Sequence, residues 1–128
     1  MPLIDPAPLM AKAPVIPVLT VERAADAAPL ARALAAGGLP VIEVTLRTRA
    51  ALDAVHAIAA EVPDCVVGVG TVTRSADIPA ALSAGAKYLV SPGTPPALAA
   101  ALAVKMNGMA SLASCQAGTA VSAMSTAV

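Results

Sequence analysis

Glu43 and Arg47 stand four residues apart in the string Val41-Ile42-Glu43-Val44-Thr45-Leu46-Arg47-Thr48. The β-branched run predicts a strand, and alternate side chains of a strand share a face. Ile42, Val44 and Leu46 then lie on one face, and Glu43, Thr45 and Arg47 on the other. A carboxyl group can move protons, and a planar guanidinium can grip a carboxylate through two parallel hydrogen bonds. Two readings compete. The polar face lines the interior of a barrel, with Arg47 at its mouth and Glu43 one layer below. Alternatively, it is the solvated face of an edge strand carrying an incidental ion pair. Strongly helical flanks on both sides argue for a central strand.

Gly68-Val69-Gly70-Thr71-Val72 is the second candidate. Its glycines would let backbone approach a ligand, and Thr71 offers a hydroxyl at the end of a strand. It is not a dinucleotide fingerprint, since Thr73 stands where a third glycine is needed. Ser91-Pro92-Gly93-Thr94 closes another strand at the same relative place. Either string taken alone is equally a turn. Together with Glu43 and Arg47 they put polar or flexible groups at one end of one sheet.

Other reactive residues are less well placed. A Schiff-base lysine must be desolvated and close to a carbonyl. Lys12 precedes the first strand, Lys87 begins the fourth at the wrong end, and Lys105 follows the fourth helix. His56 falls in the middle of a helix, far from any mouth. Cys65 and Cys115 are fifty residues apart with no histidine nearby, so they read as reduced small hydrophobes of a cytosolic protein, not a metal or redox pair.

The elements that must position these groups alternate regularly. Strands are expected at Val15–Leu19, Val41–Thr45, Cys65–Val69 and Tyr88–Val90, a repeat of about 23 to 26 residues. Helices are expected over 21–36, capped by Thr20 and closed by Gly37-Gly38, and over 49–61, capped by Thr48 and stopped by Pro63. Ser75 opens a third through Ala84, and Pro95-Pro96 starts a fourth to about Ala103. Such alternation means parallel strands with right-handed crossovers. The period suits a (β/α) barrel and equally a doubly wound sheet, so it does not choose between them. After Ala103 the period is lost, and no fifth strand and helix is expected in the Ser/Ala/Met-rich residues that follow.

Composition removes several functions. Hydrophobic residues are 58% of the 128 and charged ones 12%, the opposite of a disordered chain. Net charge is zero and the aromatics are a single Tyr, so neither a basic patch nor a stacking platform for nucleic acid is present. No apolar run reaches the roughly 18 residues of a membrane span. The start, Met1-Pro2-Leu3-Ile4-Asp5-Pro6, lacks the pattern of a signal peptide.

Val15-Ile16-Pro17-Val18, Ala36-Gly37-Gly38, Ile42–Thr48, Gly68–Val72, Ala84-Gly85-Ala86 and Ser91-Pro92-Gly93 occur in order and at near-regular spacing. Over about residues 14–103 the chain thereby resembles the 2-keto-3-deoxy-6-phosphogluconate (KDPG) / 4-hydroxy-2-oxoglutarate aldolase family. The resemblance implies a (β/α)₈ TIM barrel, usually homotrimeric, working without metal or other cofactor. It implies a class I aldolase whose lysine condenses with a 2-keto acid and releases pyruvate plus an aldehyde, glyceraldehyde 3-phosphate or glyoxylate. Glu43 matches the family's general acid/base and Arg47 the residue that holds the pyruvyl carboxylate. Thr71 matches a further pyruvyl contact, and Pro92 a position lining the site.

No residue here matches the family's lysine, and the resemblance stops near Ala103. Three segments are therefore expected: an N-terminal extension (1–13), a half barrel of about four βα units (14–103), and a divergent, poorly ordered tail (104–128), as out-of-frame translation would give. An aldolase by descent and an inactive half barrel that self-associates both remain as readings. A flavin- or nucleotide-binding doubly wound domain is disfavoured, because it lacks the glycine fingerprint and the ribose-binding acid.

Overall fold

In a computed structural model of the chain, residues 7–13, 15–93, 95–105, 109–114 and 121–126 are described. A short helix α1 (Ala7–Met10) precedes four βα units. These are β1 (Val18–Leu19) and α2 (Ala24–Ala36), β2 (Val41–Thr45) and α3 (Ala51–Glu61), β3 (Val66–Gly70) and α4 (Asp77–Ala84), and β4 (Tyr88–Ser91) and α5 (Pro96–Lys105). Two further strands follow, β5 (Met109–Ser114) and β6 (Val121–Thr126). The sheet runs in sequence order from β1 to β6, parallel through β5 and antiparallel between β5 and β6. Sequential parallel strands with a helix after each make the half-barrel arrangement expected of a (β/α) barrel.

The alternation along each strand sorts the core into two faces. Ile42 and Val44 of β2, Val67 and Val69 of β3 and Leu89 of β4 are buried against the helices. There they meet alanines of α2 (Ala27, Ala28, Ala31) and α3 (Ala51, Ala54), together with Val55, Ile58 and Ile78. Small helix residues let helix and sheet backbones come close, which is how a chain without Phe or Trp fills its core. The opposite face holds a second cluster of Ala13, Val41 and Tyr88, with Leu9, Ile16, Leu39, Val66 and Val90 packed around it. Leu9 and Ala13 thus belong to the interior at the N-terminal end of the strands, although residues 1–13 read from sequence as an extension.

Several helix starts differ from expectation. Thr20 and Thr48 do not cap helices; α2 and α3 begin later, at Ala24 and Ala51, with no side-chain cap. Both hydroxyls are drawn into tertiary bonds instead. Thr48 donates to the Val21 carbonyl at 2.5 Å, and the Thr20 and Thr45 hydroxyls lie 3.3 Å apart. Ser75 likewise leaves α4 to Asp77, whose carboxylate accepts the Arg74 backbone N–H at 3.1 Å and pairs with its guanidinium at 2.7 Å. The two threonine contacts join segments distant in the chain, whereas the Arg74–Asp77 pair closes the first turn of α4 locally.

Beyond α5 the expectation of no further strand is corrected. β5 pairs with β4 from Tyr88↔Ala110 to Ser91↔Ala113, and β6 pairs back along β5. Ala and Ser are weak strand formers, so the ladder offered by the open edge of β4, not side-chain propensity, accounts for β5. An antiparallel β6 also departs from the all-parallel order of a (β/α)₈ barrel. Among the described residues no helix is long and apolar enough to cross a membrane.

Gly85 ends α4 in the left-handed conformation, φ 101°, and a Cβ there would lie 2.7 Å from that of Ala59 on α3. Gly85→Ala is expected to cost about 2 kcal/mol, combining left-handed strain with this contact, as read from urea denaturation.

Candidate functional site

The inner face of the sheet brings the sequence candidates together through two absences of side chain on β3. Glu43 pairs with Gly68 across the β2–β3 ladder, and Val69 pairs with Leu89 across β3–β4. Gly68 therefore lies in the row between Glu43 and Tyr88. The Tyr88 ring crosses β3 at this point, and a Cβ on Gly68 would overlap it. From there the Tyr88 hydroxyl donates to the Ile42 carbonyl of β2 at 2.7 Å. With the space over Gly68 filled, the Glu43 side chain runs toward the C-terminal end of the sheet. It lies over Gly70, where a Cβ would fall on Oε1 and 2.6 Å from Cδ. The two glycines make room for two side chains of the protein, not for the ligand that the sequence suggested.

Glu43 is half-buried, and burial pushes its carboxyl above its ordinary value of 4.5. Arg47, in the turn that follows β2, acts in the opposite direction and only partly offsets this. Arg47 itself is exposed, and among the described residues no carboxylate lies within ion-pair distance of it. Tyr88 is fully buried; burial first, then the charges of Glu43 and Cys65, push its phenol strongly upward, so it stays a neutral donor. Thr45 shares the face with Glu43 but bonds the Leu19 carbonyl at 3.2 Å, tying β2 to the end of β1.

Thr71 follows β3 in a conformation unusual for a branched residue, φ 62°. It sits between two ladder bonds that run to opposite neighbours: Leu46 N–H to the Gly70 carbonyl at 3.0 Å, and Val72 N–H to the Val90 carbonyl at 3.1 Å. One left-handed residue between them turns the chain at the mouth, and Thr71 ends half-buried there. Strain of this kind persists only where the surroundings impose it. Pro92 is exposed just past β4, in a turn held by the Ser91 hydroxyl, which donates to the Gly93 carbonyl. Thr94 lies outside the described residues.

Glu43, Arg47, Thr71 and Pro92 therefore all stand at or near the C-terminal ends of β2, β3 and β4. Tyr88 was missed as a site residue. Its signal was available: it is the single aromatic of the chain, on the strand beside a glycine. Lys12 and Lys87 are exposed, and Lys87 lies at the opposite end of the sheet from this group. His56 is exposed on α3. Among the described residues no three His, Cys, Asp or Glu side chains gather to hold a metal.

Comparison with known proteins gives one consistent result. The family model for KDPG and KHG aldolase matches residues 7–121. A 2-dehydro-3-deoxy-phosphogluconate aldolase of Zymomonas mobilis is 54% identical over 85 residues, 66% of this chain and 40% of its own length. The KHG/KDPG aldolase of Escherichia coli is 48% identical over 94 residues, 73% of this chain and 44% of its own. Among solved structures, the Zymomonas mobilis 2-keto-3-deoxy-6-phosphogluconate aldolase with 3-phosphoglycerate superposes with a TM-score of 0.79 at 43% identity. That match covers 88% of this chain and 52% of the other. A Legionella pneumophila KDPG aldolase with pyruvate captured as a covalent carbinolamine gives 0.71 at 41% identity, covering 76% and 47%. The chain thus spans about half the length of the relatives it matches.

The raised proton affinity of Glu43 has a defined consequence for stability. A carboxyl that holds its proton more tightly when folded stabilises the fold below its unfolded value, and that contribution is lost as pH rises through the folded one. Stability is therefore expected to fall as pH rises from about 4.5 toward neutrality. In Glu43→Gln this part of the slope disappears, as urea midpoints measured across that range would record.

Proposed function

We propose a function from one premise: the chain belongs to the KDPG and KHG aldolase family. Its site is the proton-transfer and carboxylate-binding side of an aldolase that forms pyruvate from a 2-keto acid. The observation that carries this reading is the seat of Glu43, half-buried on the inner face and directed toward the mouth, with Arg47 beyond it, in no ion pair among the described residues. Arg47 takes the substrate carboxylate in a bidentate grip. Thr71 contacts the pyruvyl group, and Pro92 lines the site beside it.

Glu43 then serves as general acid and base. In the family's route a lysine amine adds to the ketone, and the carbinolamine must lose water to become an iminium. An acid near the substrate protonates the departing hydroxyl. The resulting carboxylate accepts the proton of the substrate's 4-hydroxyl as the C–C bond breaks and its electron pair moves onto the iminium. A carboxyl with raised proton affinity is suited to both duties near neutral pH. The covalent carbinolamine of the Legionella pneumophila relative supports a pyruvyl ligand at this kind of site. The substrates proposed are 2-keto-3-deoxy-6-phosphogluconate and 4-hydroxy-2-oxoglutarate.

No residue among the 128 matches the lysine, and Lys12 and Lys87 are solvent-exposed away from Glu43. These residues by themselves are accordingly expected to bind pyruvate without trapping it. Saturation-transfer NMR should detect pyruvate on the chain and lose the signal in Arg47→Ala. Borohydride reduction in the presence of pyruvate should leave the mass unchanged. A stoichiometric adduct would overturn the non-covalent part, and equal binding by Arg47→Ala would overturn the assignment of Arg47.

A second reading rests on the β1 edge. β1 is two residues long, and Val18 within it and Val15 just before it are each 60% exposed. An exposed apolar edge favours pairing with another chain, so a non-catalytic half barrel that self-associates follows from it. Sedimentation velocity should then give species larger than a monomer, and a cooperatively melting monomer would count against this reading.

A further inference from the structure

Two inward side chains compete for the inner surface of β3, and the outcome decides where the acid sits. Tyr88 lies across Gly68, and its hydroxyl is committed to the Ile42 carbonyl. The Glu43 carboxyl cannot occupy that space, and it settles over the next inward position, Gly70. A Cβ at Gly70 would fall on Oε1, 2.6 Å from Cδ and 2.9 Å from Cγ, so the whole end of the side chain would have to leave. We propose that Gly70 is a positioning residue: carrying no Cβ, it seats the Glu43 carboxyl against the β3 backbone, beside Tyr88 and away from open water. The inference deepens the aldolase reading and rests on it for its catalytic meaning.

The groups facing this seat are few. β4 contributes Tyr88, a neutral phenol whose proton points to Ile42 and not to the carboxyl. From the turn after β2 comes Arg47, the one charged group among the described residues that acts on Glu43. β3 contributes only backbone at Gly68 and Gly70, and β1 an apolar Val18 in register with Glu43. Burial without a compensating donor disfavours the charged form. If the carboxyl were expelled from the seat it would move toward water and Arg47, and both changes favour ionisation.

The test is a ¹³C NMR titration of the Glu43 side-chain carboxyl in the 128-residue chain and in Gly70→Ala. The midpoint should fall in the variant toward the ordinary carboxyl value; a folded variant with an unchanged midpoint would overturn the proposal. Thermal melting supplies the second arm. Gly70→Ala should lower the Tm by roughly 5 °C or more when Glu43 is present, and by far less in a Glu43→Ala background. Equal losses in both backgrounds would mean that Gly70 serves only the backbone, which also overturns it. Should Gly70→Ala fail to fold, Gly70→Ala/Glu43→Ala must recover a cooperative melt, and failure to do so counts against the proposal. Neither arm requires pyruvate or turnover, so a chain that never binds substrate still reports on the seat.

Discussion

The inner surface of β3 is the constraint on which the rest of the site depends. Side chains from β2 and β4 converge there from both sides, and a curved parallel sheet leaves little room between them. One buried ring and one carboxyl fit only because Gly68 and Gly70, two residues apart on the same face, carry nothing. Tyr88 takes the lower space because its hydroxyl finds the Ile42 carbonyl. A buried phenol without that partner would cost about 1–3 kcal/mol. The acid is left with the upper space, closer to the mouth. Its position follows from the placement of its neighbour as much as from its own strand.

Two faces of one sheet divide the work. On the helix side Ile42, Val44, Val67, Val69 and Leu89 supply apolar burial, and alanines on α2 and α3 keep the layers close. This is where the stability needed to hold a half-buried carboxyl comes from, since each buried methylene contributes about 0.8 kcal/mol. Hydroxyls at the end of β2 have a different task. Thr45 and Thr48 bond the Leu19 and Val21 carbonyls and fasten the β1–α2 connection to β2. Helix capping is given up in exchange, and α2 and α3 begin without side-chain caps. Fastening the loops at the mouth takes the place of side-chain caps worth about 1 kcal/mol each.

Much of this was legible in sequence wherever a period of two or of 3.6 residues set the answer. β2 ends where its β-branched run ends, and Glu43 lies opposite the buried Ile42 and Val44 as alternation assigns it, whereas Arg47 falls in the turn beyond the strand. Pro96 opens α5 and Gly85 closes α4, because their backbone preferences are local. What could not be read depends on partners distant in the chain. Thr20 and Thr48 look like caps until the strand opposite is known. Gly68 and Gly70 look like a ligand loop until Tyr88, twenty residues on, is seen lying across one of them. The β5 and β6 strands are hidden for the opposite reason. Their Ala- and Ser-rich residues carry no strand signal, and pairing with an exposed ladder supplies what propensity does not. The left-handed Thr71 is equally silent in sequence, since Thr is a poor candidate for φ 62°.

A chain spanning about half the length of its relatives can still hold a coherent part of the chemistry, because of how a (β/α) barrel is built. Each catalytic group projects from the end of its own strand, and its position is set by that strand, its two neighbours and the helices behind them. Glu43 on β2, Arg47 just after it, Thr71 after β3 and Pro92 after β4 therefore need only β1 to β4 and α2 to α4 to be placed. An amine nucleophile is different. It acts only if it is desolvated and within bonding distance of the substrate ketone. Exposed lysines at the far end of the sheet satisfy neither condition. In the proposed reading, proton transfer and carboxylate recognition are thus local properties of contiguous βα units, whereas carbon–carbon cleavage belongs to the closed barrel. The seat over Gly70 is the clearest case, since the groups that form it among the described residues come from β2, β3 and Tyr88 of β4.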